Sequence, residues 1–475
     1  MIVPFATTSY KSDSLPLAAQ RCVNLYAEMQ PPNAKTQVAV FGEPGIASFA
    51  TCGTGPIRGA HVFNEVPYIV SGPFLYSFSS VGAVTLLGGQ ISGVGRVSMD
   101  DNGAQLQIVN GTDGYLYSAT GGFSRITDAN FNPANTTTML DRFFLHDRIG
   151  TSQVFRSALL DGANYSEASF ATKEAKSDYV RSVKNLKEVL HVFGVTTTEL
   201  WANAGLANFP FQRLPGGVID CGIIAPHAFA EADEALFIIG SDRIAYRLAG
   251  AQKQRISTHA IEQAWQKYTS TSDAFGVART WNGHKFVTFT FPSQAVLPGQ
   301  TNSWTWDVAS NLWHEQESRD INGQAMGRWC GNVAFEAYGK TFIGDAFSGQ
   351  VGYYDDNTQT EFGRSMYATA VAPILHADQR RAFMAKYELD IETGVGLVSG
   401  QGVDPQVMLD ISDDGGRTWS YPQSWRSMGR LGAYGQRLRW FKLGNFYSRV
   451  MRVTVSDPVP RRFLRSDASI TVGMG

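Results

Sequence analysis

Residues 58–89 read RGAHVFN (58–64), VPYIVSG (66–72), FLYSFSS (74–80) and AVTLLGG (83–89), four strand-length runs parted by two- or three-residue turns. A lone four-stranded sheet cannot bury both of its faces, so the next question is whether the pattern repeats. It does. GRVSMDD (95–101), AQLQIVNG (104–111), GYLYSAT (114–120) and FSRITDA (123–129) form a second copy, with NGTDG at 110–114 supplying turn chemistry. Further copies run through TMLDRFFLHDR (138–148), NLKEVLHVFG (185–194) and HAFAEADEALFIIG (227–240), at a spacing of about forty residues, the period of a propeller blade. A sixth copy, FGVARTWNGHKFVTFTFP (275–292) with NSWTWDVASNLWHEQES (302–318), turns across Asn282-Gly283. The seventh, at 331–356, lacks an outer strand, which QVAVFGEPGIASFAT (37–51) can donate; closure of that kind removes an exposed sheet edge. The expectation is an all-β protein: a propeller of about seven blades, with six or eight also open, followed by a β-sandwich.

The expected division is an extended N-terminal arm over 1–36, the propeller over 37–361 and the sandwich over 362–475. After Phe362 the runs become longer and do not repeat, as in RAFMAKYELDIETGVG (381–396) and QRLRWFKLGNFYSRVMRVTVSD (436–457). Pro31-Pro32 suggests that the arm lies along the surface. Helical spacing occurs at THAIEQAWQKY (258–268) and, in competition with a strand reading, at VRSVKNLKEVL (180–190).

Composition agrees. Of 475 residues, 12% are aromatic, 17% are charged and 48 are Gly, which excludes a disordered chain and a coiled coil. The net charge of −2 gives no whole-molecule attraction to nucleic acid or an anionic membrane. No charged-then-apolar leader pattern opens the chain, and no window holds eighteen uninterrupted apolar residues. Cys22, Cys52, Cys221 and Cys330 form no CxxC pair and read as buried apolar residues.

Chemistry-bearing motifs are few. Ser412, Asp414, Gly416, Thr418 and Trp419 match the Asp-box pattern S-x-D-x-G-x-T-W, a hairpin turn in which Asp414 accepts backbone N–H groups, Gly416 takes a positive φ and Trp419 packs into the core. The eight histidines show no ligand spacing, and His284 and His314 read as polar caps of strand ends. P-loop, nucleophile-elbow and dinucleotide fingerprints are absent. No catalytic residue, metal site or cofactor is expected.

Charge is unevenly spread. Residues 426–467 carry ten Lys or Arg against Asp457 and Asp467, a local +8 that leaves −10 on the rest. Arg437, Arg439, Arg449, Arg452, Arg461, Arg462 and Arg465 are the candidates for a subunit interface or DNA contact, against a plain solvated strand face. Trp440 and Phe441 read as core and rim aromatics.

Several long words carry a resemblance: RCVNLYAE (21–28), FGEPGIASFATCGTGPIRGAHVFN (41–64), STHAIEQAWQKYTSTSDAFG (257–276), GHKFVTFTFP (283–292) and WTWDVASNLWHEQES (304–318). Together they are similar to the packaged-DNA stabilisation proteins of short-tailed phages, the tail hub or nozzle component typified by phage P22. The resemblance implies a structural virion protein, made in the host cytoplasm, that forms a six-fold ring with itself below the portal–adaptor (head-to-tail connector) proteins. It further implies closure of the channel over packaged double-stranded DNA, docking of a tail needle or plug and of a tailspike or tail fibre, and a conduit that meets the host envelope only at ejection. Against it stand a glycan-binding or sialidase-like propeller, motivated by the Asp box and by Trp304, Trp306 and Trp313 read as exposed, and a bacterial interaction scaffold.

Overall fold

The computed structural model describes residues 2–296, 299–420 and 425–473. Among these, seven four-stranded antiparallel units follow one another, with inner strands Ile57–Phe63, Ser98–Asp101, Thr137–Leu140, Val180–Leu186, Phe229–Ala232, Phe275–Trp281 and Gly331–Ala337. Six units are built from consecutive strands. The seventh is completed by Gly45–Thr51, which pairs antiparallel with Gln350–Asp355 and so closes the propeller with a strand from the other end of the chain. Residues 180–190 lie in two strands, Val180–Leu186 and Val189–Gly194, whereas His259–Gln266 is an α-helix, as its spacing predicts.

Six of the seven blades share a turn. Asn64-Glu65, Asp141-Arg142, Lys187-Glu188, Asp233-Glu234, Asn282-Gly283 and Tyr338-Gly339 each join an inner strand to the next one, and both residues of every pair have φ between 46° and 83°. Two-residue loops with this backbone twist the hairpin in the same sense as the strands they join. Asn or Asp holds the first position in four of the six, because a short polar side chain tolerates the left-handed region.

The sandwich has two sheets. One runs Leu25–Met29, Val38–Gly42, Arg462–Val472, Ala382–Ile391 and Leu438–Phe441; the other runs Ala19–Val23, Ala368–Val371, Ser448–Val455, Gln406–Ser412 and Trp425–Ser427. Between them Cys22, Leu25, Val40, Tyr387, Trp440, Met451 and Phe463 form the core. All four cysteines are buried and unpaired with one another.

Two expectations change here. Residues 1–36 are extended but are not laid over the surface: Ala19–Val23 and Leu25–Met29 enter the two sheets, and Ile2–Val3 pairs with Arg462–Val472. The alternating apolar word RCVNLY explains this, since Cys22, Leu25 and Tyr26 would otherwise expose large apolar area. Val38–Gly42, expected in the closing blade, instead pairs with Leu25–Met29 and Arg462–Val472, so Pro31-Pro32 begins the connection between two sandwich strands.

The strand Ala19–Val23 also touches the propeller. Val23 is bridged in parallel to Glu315 of the sixth blade, while Arg21, Cys22 and Val23 pair with Ala368–Val371 of the sandwich. At the corner that follows, Asn24 (φ 54°) donates from Nδ2 to the carbonyls of Glu317 and Tyr367 at 2.7 and 2.9 Å and accepts the Glu317 N–H at 3.0 Å. Arg21 forks onto Glu315, with Nη2 to Oε2 at 2.6 Å. Two ionic knots lie behind it. Glu43 receives His314 Nε2 at 2.6 Å and Arg279 Nη2 at 3.2 Å, all three side chains being almost fully buried. Burial opposes ionisation of Glu43, but the Arg279 guanidinium and the His314 hydrogen bond outweigh it and hold the carboxyl below its ordinary range. His284 sits between Asp307 (2.8 Å) and Glu28 of the sandwich (2.7 Å), and these hydrogen bonds, Asp307 foremost, raise its imidazole to about 9 against burial.

Two outcomes are expected. Glu43→Ala leaves Arg279 and His314 buried without their carboxylate and costs about 3–5 kcal/mol in chemical denaturation, whereas Arg437→Ala, at an exposed ion pair, costs less than about 1 kcal/mol. The His284 knot stabilises the fold fully below the unfolded imidazole value of about 6.5 and loses that contribution as pH rises through about 9. The stability difference between wild type and His284→Gln should therefore be large at pH 6 and shrink by pH 10; a pH-independent difference contradicts the assignment.

Candidate functional site

Alternation along the second sandwich sheet points Arg21, Thr369, Arg452, Thr454, Met408 and Asp410 to one face. That face floors a cleft of about 510 Å³, walled by the turn at Gly415, Gly416 and Trp419, by Leu15 of the N-terminal segment, and by Gly299, Glu317 and Arg319 of the sixth blade. The cleft thus lies on the seam between propeller and sandwich. Its arginines are each matched: Arg21 to Glu315 at 2.6 Å, Arg319 to Glu317 at 3.0 Å and Arg452 to Asp410 at 2.8 Å. Arg452 also stacks on Trp419 and Arg319 on Tyr367, at 4.2 and 4.4 Å to the ring centroids. Burial pushes the Glu317 carboxyl above its ordinary value. Trp304, Trp306 and Trp313, expected as exposed platforms, are buried in the core with Trp265, because Trp313 Nε1 donates to the Ile256 carbonyl at 2.8 Å and Trp304 Nε1 to the Tyr268 hydroxyl at 3.1 Å.

The Asp box is a turn. Asp414 Oδ1 accepts the N–H groups of Arg417 and Thr418, both at 2.9 Å, and the Ser412 hydroxyl at 2.7 Å; Ser412 Oγ accepts the Gly416 N–H at 2.8 Å, with Gly416 at φ 90°. These bonds hold the Asp414 carboxyl well below its usual value, the Thr418 hydroxyl contributing most. Trp419 departs from expectation: it is half-buried under Arg452 at the cleft rather than in the core, because Trp440 and Met451 already fill the space between the sheets.

The basic segment is paired within the chain. Arg437 and Arg439 both meet Glu388 on the neighbouring strand, at 2.6 and 3.1 Å. Arg449 is buried and forks onto Asp413 at 2.7 Å, Arg462 meets Glu392 at 2.6 Å and Arg465 meets Asp467 at 2.9 Å. Arg461 is fully buried, donating to the Met366 carbonyl at 2.8 Å and to Gln359 Oε1 at 2.9 Å. Four upstream carboxylates, Glu388, Glu392, Asp410 and Asp413, thus meet the segment across the sheets and offset half of its local +8. Trp440 is buried and Phe441 is 58% exposed, core and rim respectively.

Along the propeller axis, polar contacts link neighbouring blades. Asn332 Nδ2 donates to the Ile57 carbonyl at 2.6 Å, His61 meets Asp101 at 2.7 Å, the Met139 N–H meets Asp100 at 2.9 Å, the Val183 N–H meets Thr136 Oγ1 at 2.9 Å and Lys184 meets Glu231 at 3.5 Å. The Gly276 N–H donates to the His227 carbonyl at 2.9 Å and Thr341 Oγ1 to the Thr280 carbonyl at 3.2 Å, so all seven junctions are tied. His61, Asp100 and Asp101 bring one ligand-type atom each within 4.8 Å of one another, a donor set suited to a divalent cation. The blade period separates them in sequence, so no motif announced them. Their atoms are already used between blades, and the linking role accounts for them.

A search of curated proteins returns no match. Among solved structures, the chain is similar to the extracellular domain of a putative hybrid two-component system from B. thetaiotaomicron, at 9% identity over 66% of this chain and 39% of that one, with a TM-score of 0.44. It is similar also to PorZ, a surface component of the type-IX secretion system of Porphyromonas gingivalis, at 10% identity over 72% and 44% of the two chains and a TM-score of 0.37. The chain spans less than half the length of either, and scores this low add nothing to the assignment. Family models are decisive. One described as bacteriophage P22 Gp10, β-propeller, matches residues 1–359, and one described as bacteriophage P22 Gp10, β-sandwich, matches residues 368–471. With a seven-unit propeller knitted to a sandwich across nearly its whole length, the chain belongs to the P22 Gp10 phage-stabilisation family, a family of structural phage tail proteins of the virion.

Proposed function

We propose that this protein is the hub or nozzle of a short-tailed phage tail: a ring of identical copies, six-fold, that assembles below the portal–adaptor complex and closes the channel over packaged DNA. In this reading it also offers docking surfaces to a tail needle or plug and to a tailspike or tail fibre, and forms the conduit for ejection towards the host envelope. The observation that carries the reading is the knitted seam, considered together with family membership. A part loaded by pressurised DNA must not hinge between its domains. Here one strand is hydrogen-bonded to both domains, and two ionic knots, one buried at Glu43 and one part-buried at Glu28, lie at the same boundary. Ring copies make head-to-tail contacts that close on themselves, and such contacts need two rigid complementary faces on each copy.

Of the basic candidates, Arg437 and Arg462 have the most exposed side chains, 64% and 48%, and we assign them to a partner face. Mixing the purified chain with portal–adaptor complex and sedimenting the product should yield a complex with several copies bound per connector. Arg437→Ala with Arg462→Ala should weaken that association while leaving the melting transition nearly unchanged. Absence of any complex across ionic strengths overturns the tail-hub reading; an unchanged affinity in the double variant overturns only the assignment of the two arginines.

A further inference from the structure

The axial cavity is lined by Arg96, Lys184, His61 and His227 and by the carboxylates Asp100 and Glu231; Glu231 meets Lys184 and Asp100 lies beside His61, whereas Arg96 has Arg328 as its charged neighbour. Arg96 precedes the second blade's inner strand and Arg328 precedes the seventh's; both guanidiniums lie over the ring of Phe275, at 4.3 and 5.4 Å to its centroid. The segment that carries Arg96 is pinned from below. Arg58, itself buried, donates to the carbonyls of Gly95 (2.7 Å), Gly72 (3.0 Å), Ser92 (2.8 Å) and Ile91 (3.2 Å). Arg96 donates from Nη1 to the Asn332 carbonyl, and its Nε is buried with no hydrogen-bond partner. Arg328 reaches the Trp329 carbonyl at 3.0 Å and Asn332 Oδ1 at 3.3 Å. Among the described residues neither arginine has a carboxylate at ion-pair distance, and, unlike Arg58, whose guanidinium donates to four carbonyls, Arg96 has one carbonyl partner and an unpartnered Nε. Asp345 is paired with Arg364 and Asp273 accepts from the Ser293 hydroxyl and N–H; both carboxylates favour the charged form of Arg328 from beyond ion-pair distance, and neither acts on Arg96.

Electrostatics agree with this geometry. Burial, with the charge of Arg328 added, pushes the Arg96 guanidinium down to about 9, and burial pushes Arg328 down to about 10. His227 lines the same cavity; burial and the Arg96 charge push its imidazole down to about 3, so it stands neutral at pH 7. Holding two like charges close together at a part-buried site with no carboxylate at ion-pair distance is unfavourable, and removing one of them should relieve the fold. An arriving anion would relieve it too.

We propose that Arg96, backed by Arg328 and flanked by His227, binds a small tetrahedral oxyanion of the phosphate class at one mouth of the propeller's axial cavity. The cavity, about 310 Å³, admits such an ion, whereas a DNA duplex, whose major groove alone is about 12 Å wide, is excluded. Guanidiniums suit the role because their planar fork matches phosphate oxygens.

The test uses the full chain and inorganic phosphate. Thermal melting in sodium phosphate, set against sodium chloride of equal ionic strength, should show a saturable rise in melting temperature, as binding to the folded state alone requires. Arg96→Met should melt higher than wild type in chloride and lose the phosphate increment, with affinity by calorimetric titration reduced at least tenfold; Arg96→Lys should retain part of both. Arg328→Met, which leaves the Arg58-pinned segment untouched, should weaken phosphate binding as well and serves if Arg96→Met does not fold. A short single-stranded oligonucleotide that competes with phosphate in wild type but not in Arg96→Met assigns the site to a backbone phosphate; failure to compete assigns it to the free ion. No saturable increment over chloride, or an increment unchanged in both methionine variants, overturns the proposal.

Discussion

A single strand, Ala19–Val23, is the constraint on which the rest depends. Its residues pair with the sandwich strand Ala368–Val371 on one edge and meet the sixth blade at Glu315 on the other, so neither domain can rotate without breaking backbone hydrogen bonds of the other. The chain then turns at Asn24, runs back as Leu25–Met29 and Val38–Gly42 within the sandwich, and crosses at Glu43 to become the closing strand of the propeller. The propeller is therefore shut by a strand that arrives from the sandwich, and closing one domain presupposes assembling the other.

Placing the ionic knots at this crossing has a physical logic. Burying Glu43, Arg279 and His314 adds little net stability compared with an apolar replacement, but any misregistration would strand a charge in the interior, so the knot penalises every arrangement but one. Positional specificity of this kind suits a structural member of a phage tail better than a hinged enzyme. The cleft on the seam is consistent with that. Its arginines are spent on carboxylates and aromatic rings of the same chain.

Much of the fold was legible because local rules dominate blades. Strand alternation, a forty-residue period and the Asn282-Gly283 turn suffice for the repeat, and a missing outer strand in the last copy points to Gly45–Thr51. The other five positive-φ turns were harder, since Lys187-Glu188 and Tyr338-Gly339 lack Asn or Asp in first position and only their spacing marks them. Tertiary partners were less legible. RCVNLYAE alternates as well in an arm as in a buried strand, and nothing local tells that Glu315 waits on one side of it. The basic run at 426–467 reads as an uncompensated +8 because carboxylates it meets, Glu388, Glu392, Asp410 and Asp413, lie upstream and reach it only through the fold. The helix His259–Gln266 was legible from its spacing, but nothing local to Trp304, Trp306 and Trp313 tells that they share one core cluster with its Trp265. Arg96, Arg328 and His227 are separated by whole blades, and only propeller closure brings them to one mouth.

The central claim is that propeller and sandwich are one cooperative body held by the strand Ala19–Val23. Native-state hydrogen exchange resolved by segment tests it most directly. The account predicts that backbone amides of Ala19–Val23, Leu312–Gln316 and Ala368–Val371 exchange with the same opening free energy and denaturant dependence as the cores of both domains, in one global unfolding event. Exchange of the Ala19–Val23 amides through a separate, low-energy opening while both domain cores stay protected would contradict it.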